Sequence, residues 1–203
     1  MRGVRYSNQV SLEAFGVKNL RCLKDTGFVP IRPITVLVGR NSSGKSTFLR
    51  AFPLLRQSVE TARNSPILWY HERYVDFGSL KDAASNRLSE PSVTFQFRLG
   101  LPPNSEFPDL EIAMSLTGAE DPYVSAYEIR AAGATFRWEF DANGVARSLA
   151  ENGQPVELKH VDVLPRFRQT VVLTDGRTVE VIQRRAHLSY CYGSCCCGDV
   201  ERG

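Results

Sequence analysis

No stretch of the 203 residues approaches the roughly 20 consecutive apolar residues that cross a bilayer as a helix, and Met1-Arg2-Gly3-Val4-Arg5-Tyr6-Ser7 lacks the apolar core of a secretion signal. The reading is therefore a cytoplasmic protein with no membrane partner. Histidine is scarce: His71, His160 and His187 are scattered, without the His-Glu-x-x-His spacing that puts two ring nitrogens on one metal, and His71 beside Glu72 and Arg73 reads as a surface residue. Cysteine is almost absent until the end of the chain. Cys22 stands alone, and Cys191, Cys195, Cys196 and Cys197 crowd a glycine-containing tail. Their spacing fits no zinc pattern, and a disulfide framework is not expected in the cytosol. Residues 186–203 accordingly read as a tail outside the fold, such as the end of a truncated or frame-shifted reading frame. Internal repeats and low-complexity linkers are also lacking.

The composition, with 42% apolar, 23% charged and 10% aromatic residues, is that of a globular chain able to bury a core, and the length allows one domain or one lobe of a larger one. Charge is unevenly placed. Residues 1–80 carry 12 Lys and Arg against 5 Asp and Glu, whereas residues 81–203 carry 13 against 17. The basic half suits anionic partners but falls short of a dense nucleic-acid patch, so the expectation for DNA is weak, sequence-independent and salt-sensitive binding.

The strongest motif is Gly39-Arg40-Asn41-Ser42-Ser43-Gly44-Lys45-Ser46, which satisfies the phosphate-loop pattern of Gly, four residues, Gly-Lys and Ser or Thr. Before it, Ile34-Thr35-Val36-Leu37-Val38 reads as a buried parallel strand; after it, Phe48, Phe52, Leu55, Val59 and Ala62 recur at helical spacing. The residue types suit the chemistry. Gly39 and Gly44 allow the backbone to approach closely and turn successive N–H groups inward on phosphate oxygens, and the helix start adds its positive end. Lys45 is the catalytic residue of this reading, reaching the β- and γ-phosphates as a point charge, and the Ser46 hydroxyl is the magnesium ligand. Pro53 lies in the helical pattern and predicts a kink or an early break, with the continuing apolar face favouring a kink.

The remaining half is strand-like. Val93, Phe95, Phe97 and Leu99 alternate with polar neighbours, as do Leu110, Ile112, Met114 and Leu116, and then Ala134, Phe136, Trp138 and Phe140. Turn pairs at Asn143-Gly144, Asn152-Gly153 and Asp175-Gly176 punctuate the series, the last joining Val171-Val172-Leu173 to Val179-Glu180-Val181 as a hairpin. The expectation is an antiparallel meander. Asp121, Glu128 and Glu139 read as solvent-facing charges, and Arg166, Arg168, Arg184 and Arg185 as either a phosphate clamp or an exposed basic edge.

Hydrolysis of a nucleoside triphosphate needs more than a phosphate loop. It needs an acidic residue at the end of an apolar strand to hold magnesium, and a group that orients water. Asp175 is the nearest candidate, but it sits in a turn pair with no Glu following.

The run Gly39-Arg40-Asn41-Ser42-Ser43-Gly44-Lys45-Ser46-Thr47, with Asn two places after the first Gly, resembles the phosphate loop of ABC-type AAA ATPases related to RecF, the SMC proteins and the OLD-family nucleases. Leu12 to Leu23 is similar to the first strand of those proteins, and Tyr74-Val75-Asp76-Phe77-Gly78-Ser79-Leu80-Lys81-Asp82 resembles a segment of bacterial ATPases in the same group. The resemblance covers residues 8–85. It implies an α/β P-loop NTPase whose N-terminal lobe, residues 8–185, combines a parallel core strand, the phosphate-loop helix and an antiparallel meander. It also implies ATP and Mg²⁺ as cofactors, Thr47, Asn19 and Arg21 near the nucleotide, and a second ATPase lobe, an identical head or DNA as partners, in DNA repair or phage defence. The family's Leu-Ser-Gly-Gly-like segment is absent, so the lobe reads as ending before the catalytic half. The alternative is a non-hydrolysing module in which nucleotide gates binding of DNA or a partner. A small P-loop kinase is disfavoured by the hairpins that follow the loop.

Overall fold

A computed structural model describes residues 10–61, 65–85, 90–102, 105, 109–156, 166–172 and 178–184. The chain divides into two compact units, Met1–Val163 and Leu164–Gly203.

Period-two segments of the first unit form one antiparallel sheet. Its strands in chain order are β1 (Ser11–Leu20), β2 (Leu23–Asp25), β3 (Val29–Pro30), then, after helices α1 (Lys45–Glu60) and α2 (Leu80–Ala83), β4 (Ser92–Gly100), β5 (Asp109–Thr117), β6 (Tyr123–Ala131), β7 (Ala134–Phe140), β8 (Ala146–Glu151) and β9 (Gln154–Val156). They lie side by side as β2-β1-β4-β5-β6-β7-β8-β9, with β3 also paired to β1. From β4 onward every strand pairs with its successor, which is the expected meander. β6, whose Glu128 was read as a solvent-facing charge on a strand-like segment, carries the buried Ala126, Tyr127 and Ile129.

The register places one apolar set on one face. Phe15 of β1 stands opposite Phe97 of β4, and Val17 opposite Phe95. Phe95 is in turn opposite Met114, and Val93 opposite Leu116. Helix α1 covers this face with Phe48, Ala51 and Leu54, all buried. Phe15, fully buried, has ring centroids of Phe48, Phe52, Phe95 and Phe97 at 5.5, 4.8, 6.4 and 5.5 Å, tying helix to sheet through tilted and offset aromatic contacts. β1 can pass close to the next loop only because Gly16 has no side chain: a Cβ there would lie 2.3 Å from the Gly27 carbonyl oxygen.

The other face carries charge. Arg98 Nη2 meets Glu111 Oε1 at 2.7 Å, Arg130 lies between Glu111 and Glu128, and Arg137 between Glu128 and Glu139. Glu128 and Glu139 are thus members of an alternating cross-strand ladder. Such half-exposed pairs contribute at most about 1 kcal/mol each, and their chief effect is to fix register.

Three expectations need correction or adjustment. Ile34–Val38, read as a buried parallel strand, forms no strand, and Ile34, Val36 and Val38 are 84%, 75% and 89% exposed. A parallel strand exists only by hydrogen bonding to neighbours; among the described residues none pairs with this segment, and only Ile31 and Leu37 nearby pack on the core. On α1, Phe48, Phe52 and Leu55 pack on the core as expected, but Val59 is 79% exposed and Ala51, Leu54, Gln57 and Ser58 are buried in addition, while Ala62 lies outside the described residues. The helix also passes through Pro53 without the early break. The carbonyl deprived of a partner there is that of Leu49, a residue 56% exposed, where water can serve it.

The second unit shows the expected hairpin: β10 (Arg166–Val172) pairs with β11 (Thr178–Arg184), Val171 opposite Val179. Asp175-Gly176, Arg185, His160, His187 and the cysteine tail lie outside the described residues.

Candidate functional site

The loop before α1 is left-handed at Gly44 and at Ser42 but not at Gly39. Ser42 has φ 61° and Gly44 φ 94°, so the chain turns left-handed twice within three residues and enters the helix at Lys45. Glycine is favoured at 44 for a second reason: a Cβ there would lie 2.3 Å from Leu23 Cδ2 and 3.1 Å from Cys22 Sγ. The Ser43 N–H donates to the Arg40 carbonyl at 3.3 Å, closing the turn through Asn41 and Ser42, and the Phe48 N–H donates to Gly44 O at 2.9 Å as the first helical bond. No side chain caps the helix and its first turn carries no acidic residue. The N–H groups of Lys45, Ser46 and Thr47 are therefore left for another acceptor, at the positive end of a 16-residue helix.

Lys45 Nζ folds back over the loop, donating to Gly39 O at 2.9 Å and Arg40 O at 2.7 Å. Gly39, Arg40, Asn41, Ser42, Ser43 and Ser46 are exposed; Lys45 and Thr47 are half-buried. The arrangement offers backbone donors, one ammonium group and two hydroxyls to an anion approaching from solvent.

Asn19, near the end of β1, and Arg21, in the β1–β2 turn, are both left-handed, with φ 58° and 51°. The contact of Cys22 and Leu23 with Gly44 sets this turn against the loop. Its backbone is held from the other side, the Arg21 N–H donating to Ala83 O at 2.7 Å and the Ser85 N–H to Asn19 O at 2.9 Å. The sequence thus assembles two distant segments, 19–23 and 39–47, at one place.

A third segment joins them. Ser79 and Asp82 form a reciprocal cap on α2, in which the Asp82 carboxylate accepts from Ser79 Oγ at 2.7 Å and from the Ser79 N–H at 2.9 Å. Those Ser79 bonds, with Lys81 and Arg21 nearby, hold the Asp82 carboxyl below its usual range. Arg50 of α1 donates to Asp76 O at 3.1 Å. Gln57, fully buried, donates to Leu68 O and Val75 O and accepts from the Val75 N–H, pinning residues 68–75 to the helix. Sequence reading missed Gln57 and Arg50; a polar residue on the inner side of an apolar stripe was the available signal for the first. His71 accepts at Nδ1 from the Arg73 N–H, which makes it a turn residue. Among the described residues no group of His, Cys, Asp and Glu is placed to share a metal ion.

Residues 11–99 match the family model of the AAA ATPase domain. The matched segment runs from β1 into β4 and includes the glycine loop, α1 and the 74–85 segment. A relative, the OLD nuclease of Thermus scotoductus, is 48% identical over 48 residues, which are 24% of this chain and 9% of that protein. The chain therefore matches only a small part of its relative's length. No solved structure gives a significant match.

Proposed function

We propose that residues 39–47 bind ATP with magnesium, as the nucleotide-binding lobe of an ATPase head resembling RecF, the SMC proteins and the OLD nucleases. The observation that carries this reading is the uncapped start of α1, entered through a left-handed Gly44 and faced by Lys45, within a segment that matches the AAA ATPase family model. ATP brings the transferable phosphoryl group, and magnesium neutralises charge on the phosphate oxygens.

The residues fit such a ligand. Backbone N–H groups along 40–47 would cradle the β-phosphate, and Lys45 would exchange its two carbonyl acceptors for phosphate oxygens, a change from neutral to charge-assisted hydrogen bonds. Ser46, exposed beside it, would ligate the magnesium through its hydroxyl. Asn19 would approach from the end of β1 and Arg21 from the β1–β2 turn.

Hydrolysis is proposed only for a complete head. The sequence presents no acidic residue at the end of an apolar strand, and one missing charge-stabilising group can cost about 10³-fold or more in rate. The exposed Ile34, Val36 and Val38 favour a partner lobe, on the same or another polypeptide, that pairs with this edge. The relative is named a nuclease, and no nuclease activity is carried over to this chain; DNA repair or phage defence is proposed as the biological setting from the motif resemblance alone. A second reading, a nucleotide-gated binding module without turnover, draws on the same exposed edge and on the basic N-terminal half.

Titration of a fluorescent ATP analogue with magnesium tests the first claim: Lys45→Ala should weaken binding at least about tenfold with the fold retained. Equal affinities would sink it. Phosphate release then separates the two readings: turnover that appears when a second lobe is supplied supports the ATPase, and its continued absence supports the module.

A further inference from the structure

Phe77 is 1% exposed, so its ring is fixed by the core. Two guanidiniums from different elements lie against it, Arg21 with Cζ 4.6 Å and Arg50 with Cζ 5.4 Å from the ring centroid. The two cations are consequently no more than about 10 Å apart. Among the described residues neither has a carboxylate within salt-bridge distance. The charge of Arg21 helps to lower the Asp82 carboxyl, whose Oδ2 is engaged by Ser79.

Like charges held this near one another repel, and the fold maintains them by ring stacking on Phe77 and by the bond from Arg50 to Asp76 O. An anion relieves that repulsion. The turn carrying Arg21 is the one seated on Gly44, and Arg50 is on the helix that Gly44 starts. A planar guanidinium stacked on a ring keeps its edge donors free for oxygen acceptors, which an ammonium on a flexible stem does not.

We propose that Phe77 is a positioning residue that holds Arg21 and Arg50 as a paired guanidinium receptor for phosphate oxygens of the nucleotide bound at the glycine loop. The inference rests on the ATP reading above and deepens it: the 74–85 segment, bonded at once to the β1–β2 turn and to α1, is the part of the molecule that registers whether the anion is present.

The test is a set of titrations of the full chain with a fluorescent ATP analogue and magnesium, below the melting range of every variant, with thermal midpoints measured alongside. Arg21→Met and Arg50→Met, both substitutions outside the core, should each weaken binding about five- to tenfold, and Arg21→Lys nearly as much as Arg21→Met. Phe77→Leu, which keeps an apolar side chain but removes the ring face, should weaken binding about two- to fivefold in the native background and not at all when Arg21→Met and Arg50→Met are already present. A purely structural role for Phe77 would give the same loss in both backgrounds, and that result would overturn the proposal. If Phe77→Leu fails to fold, the arginine variants decide, since native affinity in both overturns it equally. Lys45→Ala separates the two levels: binding lost there but native in the arginine variants leaves the ATP reading standing and removes this inference, whereas native binding in Lys45→Ala removes the ATP reading beneath it.

Discussion

Two apolar segments flank the glycine loop and meet opposite fates. Helix α1, after the loop, lays Phe48, Ala51 and Leu54 on the sheet and closes around Phe15. Residues 34–38, before it, are as apolar in sequence but leave Ile34, Val36 and Val38 at 75% exposure or more. The difference lies in who supplies the neighbours. A helix satisfies its own backbone and needs only a face to cover it, which β1 and β4 provide; a strand needs hydrogen-bonding partners as well. An apolar pattern therefore says that a segment suits burial without saying which chain segment buries it.

The largest expected effect breaks the packed side. Phe15→Ala removes the ring that touches four other phenylalanines and should cost about 3–5 kcal/mol, read as a shift of the denaturant midpoint. Gln57→Leu comes next. It leaves the Val75 N–H and the Leu68 carbonyl without their side-chain partner and should cost about 1–3 kcal/mol by the same measurement.

A pH titration sharpens the contrast further. Glu60 at the end of α1 accepts from the Tyr74 hydroxyl at 2.5 Å and from Arg56 Nε at 2.8 Å, and these bonds, Tyr74 first, hold its carboxyl below the usual value of 4.5. A folded pKa below the unfolded one contributes stability that is complete above the unfolded value and is lost as pH falls through the folded one. Glu60→Gln should therefore reduce the acid dependence below about pH 4.5 and leave the dependence above it unchanged. Residues 34–38 contain no titratable group and should add nothing to that profile. The smallest effect is expected there: Val36→Ser should change the stability of this chain by less than about 0.5 kcal/mol. On the proposed reading it should nevertheless weaken assembly with a second lobe, measured by co-purification.

The meander was legible because alternation of period two, with turn pairs such as Asn143-Gly144, needs only adjacent strands, and each strand from β4 to β9 has its sequence neighbour beside it. At the glycine loop, position 44 takes φ 94° and leaves no room for a Cβ beside Leu23, both of which suit the glycine that the sequence places there. Burial of 34–38 was overestimated because pattern carries no information about pairing. The stripe on α1 was misjudged at Val59 because Gln57 and Ser58 turn inward there to serve the backbone of residues 68 and 75, a role that hydrophobicity cannot reveal. The stack of Arg21 and Arg50 on Phe77 joins three separate segments and has no local signal at all.

Hydrogen–deuterium exchange with and without magnesium and ATP compares the two flanks of the loop directly. Amides of residues 40–47 should exchange quickly in the free chain and slow at least about tenfold on nucleotide addition, while those of 34–38 stay fast in both states because no partner strand is present among the described residues. Unchanged exchange across 40–47 at saturating ATP, or amides of 34–38 already protected in the free chain, would contradict the account.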